Sequence, residues 1–306
     1  MQRQPFAEGS AEGRTASGDA PAGLAALLPD AVARHAEAIG AAKAGRDVPG
    51  LLMLAVLAGA FIAFGAMLST VVLTGGSEAI PFGLRRLLAG LSFSLGLMLV
   101  VVGGAELFTG DTLMVMAVAS GRLRLVRMLR AWLIVYVGNL VGAVGTAALV
   151  FLSGHLLMAD GAVGRTALGI AAAKAGLPPF QAFILGILCN VLVCLAVWLS
   201  MSARSVTDKI AAVVLPVAAF VAAGFEHSVA NMYFIPLGLM LKLGADGAFW
   251  SAAGTSATAY PTLDGTGLVA NLIPVTLGNI VGGGVLVGIV YWFVYLRSRS
   301  GPTPEP

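Results

Sequence analysis

The sequence predicts an all-α integral membrane protein with six transmembrane helices, arranged as an inverted repeat of three, with helices 2 and 5 broken at mid-membrane. Composition is the first reason: of 306 residues, 58% are hydrophobic and 11% charged, less than half the charge of a soluble domain. Six apolar blocks supply the second, each long enough for a hydrocarbon core that takes roughly 20 helical residues to cross. Third, two of those blocks are too long for one crossing and hold polar residues at their midpoints.

Residues 1–23, rich in Ala, Gly, Ser and charge, read as a disordered N-terminal tail. No basic-then-apolar signal peptide is expected there. Residues 24–48 read as an amphipathic cytoplasmic surface helix, with Leu24, Leu28, Val32, His35 and Ile39 on one face and Arg34, Glu37 and Lys43 elsewhere. The channel domain takes residues 49–298, in apolar blocks at about 50–73, 87–119, 126–152, 180–201, 210–241 and 268–296. Residues 153–179 and 244–267 read as polar connections, and 299–306 as a C-terminal tail.

The second block would reach about 50 Å as one helix, against a core of about 30 Å. It carries "GGAELFTGD" (103–111) at its middle, and the equally long fifth block carries "GFEHSVAN" (224–231). Both spans are therefore expected to break into half-helices around a cavity, the only setting in which irregular backbone is tolerated at that depth. "VGNLVGAVG" (137–145) matches "LGNIVGGGV" (277–285), and Glu106 and Glu226 each precede their copy by one helix. A three-helix unit, at about 49–152 and 180–298, is thus used twice, and an odd number of crossings inverts the second copy. The GNxxG stretches themselves are read as close helix packing through small residues.

Six crossings put both termini on one side. That side receives 13 of the 18 Lys and Arg, leaving Arg85, Arg86, Arg165, Lys174 and Lys242 for the other. The bias places the termini in the cytoplasm, with the chain in a bacterial inner membrane. A formal net charge of +3, spread along the chain, gives no reason to expect nucleic acid. Cys189 and Cys194 lie five apart in one apolar block and read as free core thiols. No metal motif or cofactor is expected. Nor is an enzyme: Glu226, His227 and Ser228 are consecutive and cannot converge as a hydrolytic triad, and no nucleophile elbow or HExxH is present.

"GAELFTGD", "LGILCNVLVCLAVW", "GFEHSVANMYFIPLG" and "NLIPVTLGNIVGGG" resemble the signature stretches of the formate–nitrite transporter family, most closely its formate channel branch. The resemblance runs from about residue 30 to 296. It implies an aquaporin-like protomer in a homopentamer that passes small monovalent anions, formate first, with nitrite or hydrosulfide as the alternative cargo. Carried over, it implies that His227 is the central pore histidine beside Thr109, with Asn190 and Asn231 close by. Phe93, Leu97 and Phe220 would form an outer constriction, and Leu107, Phe108 and Val193 an inner one. Lys174 would gather anions at the outer vestibule.

Chemistry gives these expectations a reason. An anion in an apolar pore is costly, and half-helix N-termini offset part of that cost. Histidine, with an ordinary pKa near 6.5, gives and regains a proton near neutrality. A small carboxylic acid with pKa about 4 is neutral in only about one molecule per thousand at pH 7, so protonation at His227 would create the form that passes phenylalanine rings. Glu226 either orients the imidazole or satisfies the broken backbone, and Asp111 is read as a cap of the second half-helix. The surface helix is either a pH gate with His35 as sensor or a passive anchor; His155 is read as structural.

Overall fold

The computed structural model describes residues 26–75 and 80–297, and those residues form helices and turns with no strand. The expected N- and C-terminal tails, and Leu24 of the surface helix, lie outside the described residues. Among the described residues, six apolar helices are long enough to span a membrane, so the chain is a multi-pass membrane protein.

Helix α1 (Pro29–Ala44) comes first. Its buried residues are Val32, Ala33, Ala36, Glu37, Gly40 and Ala44, whereas His35 and Leu28 are exposed. The sequence-based face was therefore rotated. Small residues, not large apolar ones, let α1 lie close on the bundle: a Cβ at Gly40 would stand 3.2 Å from the Met114 backbone. Span α2 (Val48–Leu73) starts where Asp47 caps it by accepting from Gly50 N–H at 3.0 Å. After α3 (Phe82–Gly103) the chain breaks and resumes as α4 (Phe108–Ala119). Span α5 (Leu125–Leu152) closes the first unit.

The connection at 153–179, expected to be polar and irregular, contains a helix, α6 (Ala162–Ala175), which packs on the fifth span. Spans α7 (Pro179–Ser202) and α8 (Val206–Ala223) follow. The chain breaks again before α9 (Ser228–Gly244), turns through 117° into α10 (Gly247–Ala253), and ends in α11 (Gly265–Tyr295). Within α11, Ile280–Ile289 is π-helical.

Each half-span ends on a left-handed glycine, Gly104 at φ 71° and Gly224 at φ 79°, a conformation that strains any residue with a Cβ. Three non-helical residues follow each, Ala105–Leu107 and Phe225–His227. The half-helices α3 and α8 run antiparallel, because Arg86 meets Ala222, Gly90 meets Ala218 and Ser94 meets Val214. The two units are therefore inverted. Gly142 packs on the Val56 carbonyl and Gly282 on that of Ile187, approaches that leave no room for a side chain.

Candidate functional site

The breaks are held alike in both units. Glu106 N–H donates to Leu54 O and Glu226 N–H to Leu185 O, at 3.2 and 3.3 Å. Asn139 accepts from Phe108 N–H and donates to the carbonyls of Ala55 and Glu106. Asn279 repeats this on Ser228 N–H, Gly186 O and Glu226 O. One buried amide per unit thus satisfies backbone that the break leaves exposed in a low-dielectric setting. The first-turn N–H groups still unpaired make a positive end on each half-helix.

His227 caps α9: its Nδ1 accepts from Ala230 N–H at 3.1 Å. A neutral ring so held carries its hydrogen on Nε2, which lies 2.9 Å from Thr109 Oγ1 of the opposite half-helix. The imidazolium form cannot keep the cap, because Nδ1 then becomes a donor. Phe220 stacks on the imidazole at 6.0 Å, and Phe93 meets Phe220 edge-on at 5.8 Å.

Two cavities approach this point. One, of about 410 Å³, is lined by Phe93, Phe220, His227, Lys174 and Arg86. The other, of about 470 Å³, is lined by Leu97, Leu107, His35, Lys43 and Lys209 among others. Phe93 and Leu97 lie one helical turn apart on α3, so about 6 Å of helix separates the two linings.

Each cavity carries an ion cluster built on buried carboxylates. On the side of α1, Lys43 meets Glu106 at 2.6 Å and Asp111 at 2.7 Å, and Arg46 meets Glu106 at 3.1 Å. Burial alone would lower the Lys43 pKa, but Asp111 and Glu106 outweigh it and hold the group above the ordinary lysine value. On the other side Lys174 meets Glu226 at 2.8 Å, and Asn231 and Asn271 donate to the same carboxylate. Two acids face two bases in the first cluster and one faces one in the second, so both are formally neutral.

Several expectations need correcting. Glu226 does not orient the imidazole; its carboxylate is taken by Lys174 and two amides. Lys174 does line the cavity beside His227, but its ammonium is paired with Glu226 and lies 5.4 Å from the Phe234 ring centre. Asp111 makes no side-chain cap and instead holds Lys43. Asn190 spends its donors on Thr109 O, Thr112 Oγ1 and Asn279 O, and Asn231 spends its own on Glu226 and Asn271, so neither has an N–H to offer an anion. Leu97 lines the Lys43 side with Leu107 and is not grouped with Phe93 and Phe220. Phe108 turns to Trp132 and Tyr136, with ring centres at 5.9 and 5.0 Å, and Val193 is buried in the core. Neither lines the two cavities. His227, Thr109, Phe93 and Phe220 are the sequence candidates that meet at the centre, and Leu107 lines the other cavity.

Lys43, Arg46, Glu106, Asn139, Asn271 and Asn279 were missed as site residues. A signal existed: "AAKAG" occurs at 41–45 and again at 172–176, placing Lys43 and Lys174 just before the first span of each unit.

Such a fold and centre define a class: helical membrane proteins with a pathway through the protomer. A family model, formate/nitrite transporter, matches residues 30–293. The chain is 47% identical to the formate channel FocA of Escherichia coli K12 over 275 residues, 90% of this chain and 96% of the relative. It is 42% identical to a probable formate transporter of Methanothermobacter thermautotrophicus, covering 88% and 97%. Among solved structures, a pentameric formate channel with formate bound matches with TM-score 0.77 and 44% identity, over 82% of this chain and 98% of that one. The chain belongs to the formate/nitrite transporter family.

Proposed function

We propose that the protein is a homopentameric channel for small monovalent anions, formate above all, in the bacterial inner membrane with both termini cytoplasmic. Relatives and a structural neighbour described as formate channels support the cargo and the pentamer, and the Lys and Arg bias supports the orientation. The observation that carries the mechanism is the His227–Thr109 contact between two half-helix N-termini, where cavities from opposite faces approach.

A carboxylate entering from either cavity replaces Thr109 as acceptor of the Nε2 hydrogen. As that hydrogen passes to the carboxylate, Nδ1 takes a proton from the cavity and gives up its bond to Ala230 N–H. The neutral acid then crosses the Phe93–Phe220 or the Leu97–Leu107 side without a charge to desolvate. The ring resets when Nδ1 gives its proton back to solvent in the cavity and Nε2 takes one from solvent, the tautomer that Ala230 N–H favours by donating to Nδ1. A hydrolytic reading gains no support, since Ser228 Oγ has no hydrogen-bond partner among the described residues and Glu226 is held by Lys174.

Uptake into proteoliposomes with a panel of formate, nitrite, acetate, lactate and hydrosulfide tests the assignment. Formate is expected to pass fastest and to be competed best by nitrite. Exclusion of formate with passage of another member would overturn it.

A further inference from the structure

Two basic residues line the outer cavity, Arg86 and Lys174, and the structure treats them differently. Lys174 is matched by Glu226 at 2.8 Å and adds no net charge to the cavity. Arg86 bonds only neutral backbone: Nε donates to Ala222 O at 3.0 Å and an Nη to Val221 O at 2.6 Å. Among the described residues no carboxylate lies within ion-pair distance of it. These two carbonyls belong to the last turn of α8, the negative end of a half-helix that opens on the same cavity as His227. Left uncovered, they would repel an anion five and six residues before the imidazole. Arg86 covers them with a two-pronged donor and leaves a full positive charge over the cavity. Gly224 makes the approach possible, because a Cβ there would stand 3.2 Å from the guanidinium. Sequence adds a second reason: Arg85 and Arg86 run against the charge bias that sets the orientation of the chain.

We infer that Arg86 is the anion-collecting residue of the outer cavity, screening the α8 carbonyl end and supplying the net positive potential that draws a small carboxylate toward His227. This rests on the anion-channel reading and assigns to Arg86 the part that the family resemblance gives to Lys174. Such a charge acts on encounter, so it changes how much solute is needed for half-maximal flux and leaves the maximal rate little altered. Its effect fades as salt shortens the Debye length to about 3 Å at 1 M.

The test is initial uptake of labelled formate into proteoliposomes, measured against formate concentration in low salt and in about 1 M of an impermeant salt. For Arg86→Gln the half-saturating concentration should rise about tenfold in low salt and approach the unaltered protein's in high salt. Arg86→Lys keeps the charge, loses the fork, and should hold most of the wild-type salt dependence. Arg85→Gln removes the same formal charge from a residue outside the cavity lining and should have little effect. Pentamer recovery and thermal midpoint show which variants fold; if Arg86→Gln does not, the Lys variant together with the salt dependence of the unaltered protein decides. A half-saturating concentration unmoved by Arg86→Gln, an Arg86→Lys protein that loses the salt dependence, or an unaltered protein indifferent to salt would overturn the inference. Failure of the unaltered protein to pass formate would instead remove the channel reading beneath it.

Discussion

Lys43 shows how one residue ties a surface helix to a break in a span. It leaves α1 to reach two carboxylates in and beside the Gly104 break, both nearly buried. Removing one partner of a buried pair strands the other charges at a cost of about 3 kcal/mol or more. Lys43→Met should therefore lower the thermal midpoint in detergent and expose α1 to protease, while Arg34→Met, which breaks only an exposed pair with Asp30, should do neither. The pH dependence has a definite sign. A lysine whose pKa is raised on folding contributes fully below its unfolded value of about 10.4, and that contribution is lost only as pH climbs through the higher folded value. Protease resistance of α1 should hold from pH 7 to pH 10; loosening within that window would show that Lys43 is not held as described.

At the scale of elements, the two units differ where the pathway needs them to. Ala55 and Gly186 occupy matching places, as do Asn139 and Asn279; counting on by four pairs Gly59 with Asn190 and Ala143 with Gly283. In the first unit the glycine lies on α2, against the Asn139 carbonyl. In the second it lies on the π-helical part of α11, and the freed space is filled by Asn190, Thr112 and Cys194 around the Thr109 carbonyl. A small residue has changed sides so that an amide can bracket the loop that faces His227. Gly283→Ala should overpack this spot by about 1–3 kcal/mol and depress flux. Adding Asn190→Gly should restore the thermal midpoint but not the flux. Recovery of both would make Asn190 a packing residue only.

The same scale shows what sequence discloses. Span positions and both breaks were legible because an excess of apolar length and a polar midpoint each have a single economical solution in a bilayer. The buried face of α1 was not, since Ala33, Ala36, Gly40 and Ala44 carry little hydropathy and pack by being small. Helix α6 was read as connection for the same reason. Pairings such as Lys174 with Glu226, 52 residues apart, have no local signature, and a family pattern names the lysine without naming the carboxylate that neutralises it.

Taken whole, the protomer is an inverted pair of units whose breaks meet back to back, one offering Leu107 and the other His227 in the same place relative to Glu106 and Glu226. That asymmetry concentrates the chemistry in a single imidazole. Large apolar side chains such as Leu133, Leu149, Phe180 and Leu215 remain exposed on the single chain, the surface that the bilayer and the proposed pentamer would cover. Native mass measurement in mild detergent should find five chains of 31.0 kDa; a monomer that still conducts would show that neighbours are dispensable. The most direct test is the number of protons entering with each formate in proteoliposomes carrying an internal pH dye, compared between the unaltered protein and a folded, pentameric His227→Phe variant. Coupled acidification above that of protein-free vesicles should fall by about 100-fold when the imidazole is lost, and an unchanged ratio of protons to formate would contradict the account.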